Sequence, residues 1–116
     1  MTFDEVFELI IPKREETIAR FSGLVSLIEK YVRKFPTDEN WLKLKQLADS
    51  DDFHEMEVVA HTLKGYAGNL GLETLFVDCS EVVKNIRENE FDKAKISIKK
   101  AIQSGTQIEN YINQLD

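Results

Sequence analysis

Apolar residues recur at intervals of three and four along nearly the whole chain, and this spacing limits the fold more than any other feature of the sequence. Such spacing places an apolar stripe along one side of an α-helix, whereas a half-buried strand needs strict alternation of apolar and polar residues. Only two prolines and five glycines interrupt the 116 residues. The pattern therefore predicts an all-α fold.

Turn and capping residues divide this pattern into seven segments. Pro36 ends one segment, Thr37 is predicted to cap the next helix, residues 50–52 form a further break with an N-cap, and Gly71 marks a helix end. The expected helices cover about Phe3–Ile11, Pro12–Phe21, Leu24–Phe35, a segment after Thr37 with Trp41 and Leu47, Phe53–Leu70, Leu72–Asn89 and Phe91–Leu115. Because four longer helices are joined by short loops, we predict an antiparallel four-helix bundle with short additional N-terminal helices, forming one domain over residues 1–116.

Composition and charge exclude several classes of function. With 42% hydrophobic and 31% charged residues, the chain has the balance of a globular protein and not of a disordered one. Its net charge of −6 would repel nucleic-acid phosphates, because its basic residues are scattered. The one basic group, Lys93 to Lys100, fits a solvated helix face. We therefore expect no nucleic-acid partner.

The sequence also bears on where the protein works. No stretch of about 18 apolar residues is present to span a membrane, and the chain does not begin with the basic and apolar segments of a secretion signal. Cys79 is the only cysteine, so it cannot form an internal disulfide. We expect a monomer in a reducing, cytoplasmic compartment.

The segment predicted to be helical over residues 53–70 carries a histidine on the side away from the core. At about 100° per residue, its apolar residues occupy an arc of roughly 120° opposite His61. These residues are Met56, Val59, Ala60, Leu63, Tyr66, Ala67 and Leu70. Since the apolar stripe is complete without it, His61 is predicted to face solvent and not to be a hydrogen-bonded core histidine.

The neighbours of His61 on this helix argue against an incidental surface histidine. Gly65 and Gly68 lie in mid-helix, where each costs about 1 kcal/mol relative to alanine. Nothing inside the domain is expected to need their space, so they indicate that a partner approaches the backbone closely. Lys64, one turn away, would place its ammonium near an anion on the ring. Together these residues predict a phosphate site with a docking surface.

The eleven residues His61–Gly71 resemble the His-x-x-Lys-Gly…Gly signature of histidine phosphotransfer (HPt) domains, which act in phosphorelay signalling. The small residue Ala67 and the closing Gly71 also match, whereas Tyr66 is larger than the Ser, Ala or Gly common at its position. The helical layout is similar over nearly the whole chain. The resemblance implies that His61 is the phosphoacceptor and that Lys64 is the phosphate-side cation.

The same resemblance implies a reaction and its partners. A neutral imidazole would attack the phosphorus of an aspartyl phosphate to give a phosphohistidine. Mg²⁺ and the aspartate belong to the receiver in this family, so the chain would need no cofactor or metal of its own. The expected partners are receiver domains of response regulators or of a hybrid sensor histidine kinase. The residues expected to contact them are Gly65, Gly68, Val58, Glu57 and His54.

Other interpretations remain open beside the carrier. No glycine-rich nucleotide-binding motif is present, so we expect a phosphocarrier without its own ATP site and not an enzyme. A catalytically silent helical adaptor would bind receiver or kinase domains without chemistry. The row His54–Glu57–His61 offers Zn²⁺ two imidazoles and a carboxylate, although the His-Glu-x-x-His spacing is absent. The phosphoacceptor domain of chemotaxis kinases has a similar motif. Trp41 is interpreted as a core residue, and so are Phe76 and Cys79, which belong to the apolar stripe of the Leu72–Asn89 segment.

Overall fold

A computed structural model describes residues 1–116 and contains helices without any strand. The elements are α1 (Phe3–Ile10), α2 (Arg14–Arg20), α3 (Val25–Lys34), a 3₁₀ helix (Phe35–Thr37), α4 (Glu39–Gln46), α5 (Phe53–Leu70), α6 (Glu73–Arg87) and α7 (Phe91–Ile112). None of these helices combines the length and the apolar character that crossing a bilayer requires. The predicted all-α class is confirmed.

The predicted cap at Thr37 is wrong. Thr37 lies inside the 3₁₀ helix, and its hydroxyl donates to the Lys34 carbonyl at 3.0 Å. The chain makes this extra turn, with proline near its start, before α4 begins. The N-cap is therefore Asp38, whose carboxylate accepts hydrogen bonds from the backbone N–H groups of Asn40 and Trp41 at 2.9 and 3.0 Å.

Both ends of α5 lie where the sequence placed them. The Asp52 carboxylate accepts a hydrogen bond from the backbone N–H of Glu55 at 3.1 Å, which satisfies one of the free donors in the first turn. Gly71 ends the helix with a φ of +78°, a left-handed conformation that costs glycine little. The helix that carries His61 is thus fixed at Phe53–Leu70.

Helices α4 to α7 form the predicted four-helix bundle, with α6 packed against both α5 and α7. Glu57 pairs with Arg87 near the start of α5, and Gly68 lies beside Phe76 near its end. These two contacts show that α5 and α6 run antiparallel. The shorter α4 packs against α5 and α7 and closes the bundle around a core of 26 buried apolar residues.

Two of the short N-terminal helices pack against the same end of the bundle. α1 packs on α7, and α2 lies at the C-terminal end of α5. The Thr17 hydroxyl donates to the Leu70 carbonyl at 3.1 Å, and the Arg20 guanidinium donates to the carbonyls of Gly68 and Asn69 at 3.2 and 2.7 Å. Carbonyls in the last turn of a helix lack donors from the helix itself. At this end of α5, side chains of α2 supply hydrogen-bond donors to such carbonyls.

Close approach of α4 to α7 depends on Gly105. A Cβ atom at this position would lie 2.2 Å from Cζ3 of the Trp41 ring, which is fully buried. The ring also stacks on Phe35, with centroids 5.1 Å apart, and its Nε1 donates to the Glu109 carboxylate at 2.7 Å. Trp41 is thus a core residue, as predicted, and it has little freedom to move.

We expect Gly105→Ala to lower the free energy of unfolding by about 1–3 kcal/mol, because the added methyl group must displace the Trp41 ring from a packed site. Urea denaturation followed by circular dichroism measures this change. A variant as stable as the wild type would contradict the close contact between α4 and α7.

Candidate functional site

The side of α5 that faces solvent carries His61. Six of the seven residues predicted for the buried arc are buried, the seventh, Tyr66, is partly buried, and His61 is exposed. The predicted orientation of the helix is therefore confirmed. Neighbouring polar groups are bonded elsewhere, since Glu57 accepts from Arg87 and the Thr62 hydroxyl donates to the Val58 carbonyl. Neither nitrogen of the His61 ring has a hydrogen-bond partner in the chain, so its lone pair is available to another molecule.

A shallow depression surrounds His61 on this surface. Its lining consists of His54, Glu57, Val58, His61, Thr62 and Arg87. The sequence singled out His54, Glu57 and Val58 as neighbours of His61, and the structure brings all three to its rim. Val58 is 47% exposed and gives the rim an apolar side chain.

Arg87 is the one residue of this depression that comes from outside α5, and sequence reasoning missed it. It comes from the last turn of α6, and its Nε lies 2.8 Å from Oε1 of Glu57 on α5. A signal for it existed. Because α5 and α6 are joined by a tight turn at Gly71 and Leu72, counting outward from Leu72 in both directions places residue 87 level with residue 57.

Lys64 lies on the same side of α5 and has no carboxylate partner. Its Nζ is 5.9 Å from the centroid of the Phe76 ring, a contact in which the ammonium rests near an aromatic face. A cation held this way remains free to meet an anion. The Lys64 side chain thus leans toward α6, and its predicted role beside His61 stays a prediction.

The two mid-helix glycines differ in their surroundings. A Cβ atom at Gly65 would meet nothing within 4 Å, whereas one at Gly68 would lie 3.2 Å from Cδ2 of Phe76. The expectation that nothing inside the domain needs this space is confirmed for Gly65 and wrong for Gly68. Phe76 was assigned to the buried stripe of α6, and this is also wrong, because its ring is 37% exposed. The ring lies at the edge of the α5–α6 contact, over the backbone that Gly68 leaves bare.

Metal-binding geometry is not found in the chain. No three His, Cys, Asp or Glu side chains are grouped so that they could hold a metal ion. In the row His54–Glu57–His61, the carboxylate is bound to Arg87.

Cys79 is fully buried, and burial raises the pKa of its thiol to about 12, so it is a core residue with little thiolate character.

Comparison with protein families decides what kind of chain carries this site. Residues 35–116 match the family model described as the Hpt domain. The chain belongs to the Hpt domain family. Hpt domains are phosphocarriers of phosphorelay signalling and have no ATP site of their own. No curated protein and no solved structure shows significant similarity to the chain.

The part of this Hpt domain outside the family match explains how it accommodates Tyr66. The match begins at Phe35, so α1, α2 and α3 precede it. The Tyr66 ring stacks near Phe35, with centroids 6.0 Å apart, and its hydroxyl donates to the Tyr31 carbonyl of α3 at 2.6 Å. Burial raises the pKa of this phenol above its usual range, so the hydroxyl stays protonated as a donor. The larger side chain thus fills space between α5 and α3.

The open space at Gly65 leads to a stability prediction for this Hpt domain. Gly65→Ala should raise the free energy of unfolding by about 0.5–1 kcal/mol, because alanine is the better helix former and its methyl group meets no atom. Gly68→Ala should gain less, since the Phe76 ring must shift. Thermal and urea denaturation of both variants measure the difference. A loss of stability on Gly65→Ala would contradict the open surface described for this position.

Proposed function

We propose that this Hpt domain carries a phosphoryl group on His61, which it accepts from the aspartyl phosphate of one receiver domain and passes to the aspartate of another. The observation that carries the proposal is the exposed His61 ring, free of hydrogen bonds, on the side of α5 that also holds Lys64 and the open backbone at Gly65. An imidazole in this setting can reach a phosphorus atom held by a partner.

The proposed transfer needs few groups from this chain. In the accepting step, the lone pair of one ring nitrogen forms a P–N bond while the P–O bond to the aspartate breaks, and that electron pair leaves on the carboxylate. The ring becomes cationic as the bond forms and can lose its remaining N–H proton to water. In the donating step a carboxylate oxygen of the second receiver's aspartate forms a P–O bond as the P–N bond breaks. The electron pair of the broken bond returns to the ring, which takes back from water the proton it had lost. Lys64 would offset charge on the phosphoryl oxygens, and Mg²⁺ would remain with the receiver.

Docking of the receiver is proposed on the same side of α5. Gly65 lets a partner loop approach the helix backbone, because no side chain of the chain stands above it. Val58 and Phe76 are exposed apolar side chains on either side of the histidine along this surface. Such contacts exclude water and hold the two reacting groups in line, which is where most of the acceleration of a phosphoryl transfer arises.

Labelling by a phosphorylated receiver tests the proposed phosphoacceptor. With Mg²⁺ present, the wild type should gain an acid-labile, base-stable label, and His61→Gln should gain none, because no other ring nitrogen occupies that place. His54→Gln should still be labelled, which makes it the matched control for the chain's only other histidine. A label that survives on His61→Gln would end the assignment. Binding of the receiver without any label on the wild type would instead favour the silent adaptor.

A second prediction concerns Lys64. Lys64→Ala should slow transfer about tenfold, which corresponds to about 1.4 kcal/mol of lost transition-state stabilisation. Lys64→Arg, which keeps the positive charge, should retain more of the rate. Single-turnover labelling measures both variants, and far-UV circular dichroism should show unchanged helix content. Wild-type rates for Lys64→Ala would remove this residue from the mechanism.

A further inference from the structure

A second cation, Arg87, stands in the depression that contains His61. It belongs to α6 and reaches the site across the α5–α6 contact, where its Nε donates to Oε1 of Glu57 at 2.8 Å. The Arg87 side chain is 58% exposed and that of Glu57 is 28% exposed. The pair therefore lies at the surface, in the same depression as the His61 ring.

Much of the hydrogen-bonding capacity of Arg87 is unused. A guanidinium has five N–H donors in a fork that fits the oxygens of a phosphate. Only the donor on Nε has a partner in this protein, and both terminal nitrogens have none. Exposed ion pairs contribute little to stability, and α5 and α6 are already held together by buried apolar side chains. Stability alone therefore gives little reason for this pair.

Phosphorylation of His61 would place a second anion in the depression, beside the carboxylate of Glu57. Glu57 precedes His61 by one helical turn on the same side of α5, so the two side chains are neighbours. A phosphoryl group brings a charge of about −1.5 to −2. Two anions then lie within reach of one guanidinium, and they repel each other. Arg87 can stay with the carboxylate or contact the phosphoryl oxygens.

We propose that Arg87 binds the phosphoryl group on His61, and that its pairing with Glu57 sets how tightly this group is held. The inference rests on the proposed function. Arg87 stabilises the phosphohistidine, whereas Glu57 destabilises it, both by repulsion and by competing for the guanidinium. The balance between the two side chains fixes the equilibrium between phosphohistidine and aspartyl phosphate, so that His61 remains able to give the group away.

The equilibrium of phosphoryl exchange with one receiver, in the presence of Mg²⁺, tests this proposal. Arg87→Ala should shift it about tenfold toward the receiver, since a charge-assisted contact is lost while Glu57 remains. Arg87→Lys should shift it less. Glu57→Gln should shift it several-fold in the opposite direction, toward the phosphohistidine, because the repulsion disappears and Arg87 is released. The opposite signs are the decisive result, because simple loss of the ion pair would affect both variants alike.

A matched control exists on α3. Arg33 pairs with Glu29 through the same atom type, with Nε 2.8 Å from a carboxylate oxygen, and with similar exposure of 42% and 35%. Neither residue lines the depression around His61. Arg33→Ala and Glu29→Gln should leave the exchange equilibrium unchanged. If Arg87→Ala behaves like Arg33→Ala, or if Arg87→Ala and Glu57→Gln shift the equilibrium in the same direction, the proposal is overturned.

Failure of this proposal can be told apart from failure of the proposed function. Phosphoramidate, a small phosphoryl donor, removes the receiver from the experiment, and ³¹P NMR follows formation and hydrolysis of the phosphohistidine. Arg87→Ala should shorten the lifetime of the phosphohistidine several-fold, and Glu57→Gln should lengthen it. If His61 accepts phosphate from neither phosphoramidate nor a receiver, the carrier function fails. If the wild type is labelled and all variants share its lifetime, only the role of Arg87 and Glu57 is refuted.

Discussion

Burial of one apolar stripe of α5 is the constraint on which the rest of the site depends. When Met56, Ala60 and Leu63 enter the core, His61 is held on the opposite side, because side chains on a helix are fixed relative to one another. The same rotation exposes Gly65 and brings Lys64 toward α6. No loop has to position these residues. A rigid helix with both ends capped carries them, and such an element defines positions more closely than a loop does.

Residues whose positions depend on a single helix could be predicted from the sequence. Periodicity and capping chemistry predict the limits of α5, an N-cap within residues 50–52, the exposure of His61 and the burial of Trp41. The bundle itself followed from the number of helices and the short loops between them. Contacts between helices could not be predicted in the same way. Phe76 was assigned to the core, and Arg87 was not considered, because their surroundings depend on the register of α6 against α5. Periodicity gives the direction of a side chain from its own helix but not what stands opposite.

The N-terminal helices, which precede the region matched by the family model, support α5. By helix propensity alone, leaving aside the contact of Gly68 with Phe76, the two glycines weaken α5 by about 1–2 kcal/mol relative to alanine. Thr17 and Arg20 of α2 donate hydrogen bonds to three carbonyls in the last turn of α5. A carbonyl of α3 accepts a hydrogen bond from the Tyr66 hydroxyl. These contacts act on the half of the helix that contains Gly65 and Gly68. Contacts from outside the matched region thus offset a weakness that the exposed surface requires.

The negative net charge of the chain is unfavourable for holding a phosphoryl group, which is itself an anion. A net charge of −6 opposes the addition of another anion, but charges farther away than about 8–10 Å are largely screened at physiological ionic strength. What matters is the charge close to His61. There, Lys64 has no carboxylate partner and Arg87 has unused donors, while Glu57 is the nearby acid. A carrier must hold its cargo and still release it, so a site with cations alone would bind too well. In the arrangement proposed here, one carboxylate beside two cations keeps the opposing contributions close to balance.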